Sequence, residues 1–441
     1  MRTGGSLGSR LAKNIGWVVG SRGVSGIISI AYLAVAARAL GPAKFGVFAL
    51  ILTYAQMIGN LVQFQSWKGV IRYGALHLSA GRNDRLGRLF GFTCALDIGS
   101  ALAGAAIALV GVPLLAPLMH WHRDEETLAS AFAAVLLLTT GATPTGMLRL
   151  FDRFDIVAYC EFVGPIVRLG GALIAWALGA SVAVLLWVWA IAGVAQFLVQ
   201  WIAAIAATHS PIKLGIKSFK EAMRENERIL PFMVQTNISN SVSMFWTQIG
   251  TLAVGAVAGP AEAGGFRFAR RLSKGILRPV QPAILAIYPE MTRMVAEEDH
   301  RRLRTMVIRV SALAALLALG VVLATWIGGR QILHLLAGRQ FEFAYPLLVL
   351  LMVASAIELV GFVFEPLQNA HGHSWNVLRS KLWAAAIYCA LLVIMLPTLG
   401  ASGAAWAAIV CALVLVAQLA YLTVKTIRGT GPETAAPEVA G

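Results

Sequence analysis

Arg267, Arg270, Arg271, Lys274 and Arg278 stand at i, i+3, i+4, i+7 and i+11 in an otherwise apolar stretch, which puts five cations on one face of a single helix. Fixed positive charges grouped in this way hold anions, and planar guanidinium groups suit phosphate oxygens in particular. Each cation at mid-bilayer costs about 2.5–3.5 kcal/mol on insertion scales, so in a membrane such a stripe cannot face lipid and must meet water, protein or anions. The bland alternative is an interfacial cluster in which Arg267 and Arg270 snorkel one way and Arg278 the other. Pro279 and Pro282 follow closely, which makes this helix a poor lipid-exposed span.

Polar residues recur at helical spacing in three more apolar stretches. They are Asn14, Ser21, Arg22, Ser25 and Ser29; Thr53, Gln56, Asn60 and Gln63; and Thr236, Asn240, Ser243, Thr247 and Thr251. Such stripes either glue helices together or line a hydrated vestibule. Asp97, Glu161, Glu358 and Glu365 are carboxylates inside apolar runs, hence candidates for ion coupling or for pairing with the buried cations. Glu358 and Glu365, seven apart, are predicted to share a helical face. His120-x-His122 and His371-x-His373 lack further ligands at metal spacing, and no G-x-x-x-x-G-K-[ST] phosphate loop occurs, so neither metal nor cofactor is expected.

The elements that must position these groups are membrane spans. Of the 441 residues 58% are hydrophobic and only 13% charged, against about 25% charged in soluble domains. Uncharged runs of roughly 18–25 residues recur along the whole chain. Twelve spans are predicted, over residues 15–37, 45–66, 89–118, 128–148, 156–178, 182–207, 231–257, 266–289, 305–327, 343–369, 377–397 and 402–424. The basic residues before the first run resemble a signal peptide, but Arg22 and the length of the run favour a retained helix. Cys94, Cys160, Cys389 and Cys411 lie inside spans without C-x-x-C spacing and read as small buried residues.

Charge sets the orientation. With both termini cytoplasmic, the outer loops hold five Lys/Arg (Arg38, Lys44, Arg123, Arg330 and Arg339) and the cytoplasmic segments hold most of the others. The net +15 is therefore largely a topology signal, and nucleic acid is not an expected partner. The basic connection 208–230 lies at mid-chain and reads as a linker between six-helix lobes at 1–207 and 231–425, with a cytoplasmic tail at 426–441. Gly41-Pro42-Ala43-x-x-Gly46-x-Phe48 recurs as Gly259-Pro260-Ala261-x-x-Gly264-x-Phe266, each joining the first two spans of its lobe. A fainter echo sets residues 148–155 against 367–374. Six helices separate the copies, so the lobes are parallel repeats of the kind that enclose a central cavity and rock. The expected fold is all-α integral membrane, with about twelve helices in two parallel six-helix pseudo-repeats around that cavity. A membrane-embedded polysaccharide polymerase or ligase would need a catalytic region outside the bilayer, and the outer loops near 119–127 and 328–342 are too short to form one; no enzyme is expected.

Ala37-Arg38-Ala39-Leu40-Gly41-Pro42-Ala43-Lys44-Phe45-Gly46, Leu148-Arg149-Leu150-Phe151-Asp152-Arg153-Phe154 and Tyr288-Pro289-Glu290 resemble the turns of the Wzx-like oligosaccharide flippases. These form the polysaccharide-biosynthesis family, in the superfamily that also holds the multidrug and toxic-compound exporters, which implies a MATE-like fold. The resemblance extends to about Val424. It implies alternating access, with the pyrophosphate of a polyprenyl-linked glycan held by arginines while its lipid tail stays in the bilayer. Arg22, Arg267, Arg270 and Arg271 are similar in position to the cavity arginines of such flippases, with Lys274, Gln56, Asn60, Asn240 and Thr247 beside them. It also implies the inner membrane as location, and a polysaccharide polymerase and glycosyltransferases as partners in exopolysaccharide assembly. One departure is Gln248, which stands where many relatives carry an acid. The rival transporter reading, an ion-coupled exporter of another anionic amphiphile or drug, suits cationic drugs poorly, because the cavity would repel them.

Overall fold

The structure, a computed structural model, describes residues 7–139, 141–179, 181–208, 212–277, 280–297 and 299–427. Among them every regular element is helical: α1 (Leu7–Val62), α2 (Ser66–Ser79), α3 (Asn83–Leu115), α4 (Arg123–Leu138), α5 (Thr143–Leu150), α6 (Phe154–Leu178), α7 (Val182–Thr208), α8 (Ile216–Glu225), α9 (Ile229–Ser273), α10 (Val280–Ala296), α11 (His300–Ala337), α12 (Tyr345–Val360), α13 (Phe364–Ala370), α14 (Ser374–Leu399) and α15 (Ala401–Ile427). Nine stretches of the described residues are long and apolar enough to cross a bilayer. The first of them bends at Gly41 and holds two of the expected spans. The expected seventh and eighth spans, in α9 and α10, include positions outside the described residues and are not among these nine. Large apolar side chains face outward along the other helices, for example Val393 at 77% and Leu316 at 67% exposure, as lipid contact requires.

α1 and α9 each bend at the Gly-Pro pair of the repeat. Gly41 adopts φ 69, ψ 172 and Gly259 φ 84, ψ 173, a left-handed φ that a Cβ would strain. The proline that follows restarts the helix, because its missing N–H falls in the first turn, where no partner exists. The fainter repeat is also present in the backbone, one residue away from the expected register. Arg153 N–H donates to Leu148 O and His373 N–H to Gln368 O, with Asp152 (φ 58) and Gly372 (φ 79) at the turn. Residue 148 thus corresponds to 368 rather than 367.

Several helices are broken where continuous spans were expected. The second span ends at Val62, and the chain continues after three residues as α2, so the expected cytoplasmic connection 67–88 is mostly helix. The eighth span is not one helix over 266–289: α9 ends at Ser273, a 3-10 turn covers Lys274–Leu277, and α10 begins at Val280. Arg278 lies outside the described residues, and the five-cation face is thus cut after Ser273. Breaks also separate α4 from α5 and α12 from α13. The last of these puts Glu358 and Glu365 on different helices, which overturns their expected common face.

The chain forms two compact units. The first comprises Met1–Phe268 with Leu333–Glu342. Its aromatic core joins Phe45, Phe268 and Phe341, with ring centroids 5.5–6.2 Å apart. A second cluster packs Val70, Phe90, Phe92, Met147 and Met233 around Ala222 of α8. The central connection is therefore not a free linker: Arg88 holds Glu225 of α8 through two hydrogen bonds of 3.1 and 2.5 Å. Arg38 donates to the carbonyl oxygens of Leu335 and Leu336 and so caps the end of α11. The second unit comprises Ala269–Ile332 and Phe343–Gly441. In it α15 packs on α12 and α14, and Met291, Leu303 and Leu367 form a core between α10, α11 and α13.

Candidate cation-lined site

The boundary between the units falls inside the cation stripe, so Arg267 belongs to the first and Arg270, Arg271 and Lys274 to the second. In the first unit the Arg267 guanidinium donates to Thr53 Oγ1 and, at 3.1 Å, to Gln56 Oε1. Thr53 is fully buried and donates in turn to the Ala49 carbonyl. Two stripes read from the sequence thus meet, with a half-buried guanidinium held by uncharged oxygens in an apolar region. Buried Tyr32 lies within electrostatic reach of both Arg267 and Arg168. Arg168 itself stacks 3.6 Å from the Trp189 ring.

In the second unit Lys274 donates to both carboxylate oxygens of Glu358, at 2.7 and 2.5 Å. Lys381 similarly reaches Glu365 at 2.5 Å. Two of the four candidate coupling carboxylates are therefore in intramembrane ion pairs. Arg270 is half-buried beside Tyr388, and Cys411 lies close enough to feel Arg270, Lys274 and Glu358. Arg271 is exposed.

Asp97 is buried and accepts four hydrogen bonds: from Ser66 Oγ, from Ala142 N at 3.0 Å, and from Thr143 N and Oγ1 at 2.9 and 2.7 Å. Its carboxylate joins the first residue of α2 to the start of α5, at two of the helix breaks. Glu161 is half-buried on α6. A polar pair beside the predicted stripe on α9 works as glue. Asn237 Nδ2 donates to Gln63 O at 2.9 Å, and Ser241 Oγ reaches Asn60 O at 3.1 Å, so the carbonyls at the end of α1 are satisfied. Sequence reasoning missed this pair, although its i, i+4 spacing was visible. The side chains of Asn14, Ser21, Arg22, Asn240, Ser243 and Thr247 lie outside the described residues. All four cysteines are free; Cys94 and Cys160 are buried, whereas Cys389 and Cys411 are half-buried.

Two cations, Arg149 and Arg168, were assigned to no site in the sequence: Arg149 falls in the turn after the fourth predicted span and Arg168 stands alone in the fifth. They line one cavity of about 490 Å³ in the first unit, together with Gln63, Gln65, Trp67, Gln196 and Gln200. Arg149 lies over the Trp67 ring at 4.7 Å. For Arg168 the available signal was that an isolated intramembrane arginine needs a reason to be there.

Fold and site together define a polytopic all-α integral membrane protein with an internal repeat and cations held inside its apolar layer. The profile of the family described as "Polysaccharide biosynthesis protein" matches residues 11–295, more than half of the chain, and the chain belongs to that family. It is similar to the inner membrane protein YghQ of Escherichia coli (strain K12), with 29% identity over 345 residues covering 77% of this chain and 95% of that one. Among solved structures it is similar to an inward-facing multidrug resistance MATE family transporter of the MOP superfamily, with TM-score 0.75, 15% identity, and coverage of 92% of this chain and 96% of that one. A MOP superfamily transporter from Pyrococcus furiosus, described as having reversed polarity in its binding pocket, matches with TM-score 0.62 and 16% identity over 94% and 96% of the two chains. These structural likenesses establish the MATE-type fold. With its apolar helices and its inner-membrane relative, the chain is a multi-pass inner membrane protein.

Proposed function

We propose that this protein is a flippase that moves a polyprenyl-pyrophosphate-linked oligosaccharide from the inner to the outer leaflet by alternating access of its two six-helix halves, with both termini cytoplasmic. The observation that carries this reading is Arg267, a cation inside the apolar layer held by the neutral oxygens of Thr53 and Gln56. A planar guanidinium held in an apolar layer by neutral oxygens suits the oxygens of a phosphate-bearing headgroup. Arg270, Arg271 and Lys274 extend the cationic run, and Arg22, Asn60, Asn240 and Thr247 are assigned to the same site by position. Membership of a polysaccharide biosynthesis family and the MATE-type fold support a transporter rather than an enzyme.

Coupling to an ion gradient would fall to Glu358 and Glu365, whose lysine partners give each a charge to exchange, with Glu161 and Asp97 as further candidates. The ion pairs also favour a second reading, an ion-coupled exporter of another anionic amphiphile. Export of the lipid-linked glycan in a deletion strain separates the two. Arg270→Ala/Arg271→Ala is expected to abolish export while the protein stays in the membrane, and full export in that variant would refute the flippase reading.

A further inference from the structure

The cavity lined by Arg149 and Arg168 lies wholly in the first unit, and its volume of about 490 Å³ falls within the ~300–1,000 Å³ of small-molecule sites. Its walls come from both breaks that Asp97 joins. Gln63 and Gln65 lie in the break between α1 and α2 with Trp67 at the start of α2, Thr139 follows α4 and Thr145 lies in the first turn of α5, and α7 adds Gln196 and Gln200. Among the described residues no lining side chain is acidic. Asp97 sits behind the wall, with its oxygens engaged by Ser66, Ala142 and Thr143.

The donor set defines a chemistry. Carboxamides both donate and accept, which matches hydroxyls that do the same, and four glutamines surround this one space. Both guanidinium groups lie over indole rings, Arg149 at 4.7 Å from the centre of Trp67 and Arg168 at 3.6 Å from that of Trp189, a cation–π contact that helps to hold them in place. Planar cations so held select a carboxylate or other oxyanion over a neutral group. Trp67 and Phe197 add flat apolar surface of the kind that covers the C–H face of a sugar ring.

We propose that this cavity is a separate binding site for an acidic sugar, in which the guanidinium groups hold the ring carboxylate and the glutamine amides hold its hydroxyls. Tyr32 lies within electrostatic reach of Arg168, which lines the cavity, and of Arg267, which does not. The cavity's preference for an acidic sugar does not rest on the flippase reading.

The test is a calorimetric titration of the purified full-length protein with methyl glucuronoside, methyl glucoside and inorganic phosphate. The glucuronoside should bind about tenfold or more tightly than the neutral glucoside, and phosphate should not displace it at equal concentration. Arg168→Gln should erase the preference for the acid. Gln200→Leu, which keeps both cations, should weaken both sugars and leave the preference. Equal affinity for the two sugars, displacement by phosphate alone, or no binding to a protein with wild-type melting behaviour would overturn the proposal. Arg267→Ala distinguishes the two readings: it should stop export and leave the titration unchanged. Normal export with intact sugar binding would remove the flippase reading and keep the cavity.

Discussion

Gly46 and Gly264 lie back to back. A Cβ on Gly46 would stand 1.8 Å from the Pro260 carbonyl oxygen, and one on Gly264 would stand 3.0 Å from the Gly46 Cα. The two glycines hold equivalent places in the repeated Gly-Pro-Ala motif, so the duplicated segment packs against its own copy. Glycine is required because the approaching atoms are backbone, which cannot swing aside. Gly46→Ala should therefore lower the thermal midpoint in detergent by the equivalent of about 2 kcal/mol or more, as overpacking does. Gly99→Ala is the control, since its Cβ would meet nothing within 4 Å. A helical glycine in open space gains up to about 1 kcal/mol on conversion to alanine. Equal midpoints for the two variants would contradict this packing.

Asp97 has the geometry of a staple between two broken helices. Asp97→Ala would leave buried donors of Ser66, Ala142 and Thr143 without their acceptor. An unsatisfied buried donor costs about 1–3 kcal/mol, and several are involved. Asp97→Asn keeps one carbonyl oxygen for the Thr143 donors, and the Ser66 hydroxyl can turn to accept from the new amide. Unfolding by heat should rank wild type first, Asn close behind and Ala far below. An alanine variant as stable as wild type would remove the staple.

α8 is predicted to be fixed to α3 by charge. The Arg88 and Glu225 side chains are only 19% and 16% exposed, so their pair should couple by about 1–2 kcal/mol in a double-mutant cycle, above the value of exposed pairs. Nearby, Lys213 donates to Asp84 at 2.7 Å and holds that carboxyl below the usual carboxylate range. A lowered carboxyl stabilises the fold above its ordinary value, so this contact persists at neutral pH and fails as acid takes it below about pH 4. Proteolysis at 208–230, followed in Arg88→Ala and across pH, reads both. Cleavage unaffected by either change would contradict the attachment.

The sequence carried the large features because the bilayer imposes them. Apolar run length marked the spans, and the Gly-Pro turns marked the repeat, since left-handed φ followed by proline is a local requirement. The breaks at 63–65, 139–142 and 361–363 were not legible in that way. Those at 63–65 and 139–142 are satisfied by distant partners, Asp97 for the starts of α2 and α5 and Asn237 with Ser241 for the end of α1. Nothing in the local periodicity announces such partners. For the same reason Glu358 and Glu365 looked like neighbours on one helix when Gly361–Val363 parts them. Arg267 was found because it belongs to a stripe; Arg149 and Arg168 were missed because only tertiary packing brings them to one cavity.

The measurement that bears most directly on the central claim is transfer of a purified polyprenyl-pyrophosphate-linked glycan across proteoliposomes, scored by its exposure to an added glycosidase. Wild-type protein should expose the glycan, Arg267→Lys should retain part of the rate, and Arg267→Gln should lose at least about 90% of it, more than tenfold, because a neutral amide cannot hold the pyrophosphate. Transfer by Arg267→Gln at the wild-type rate would contradict the account.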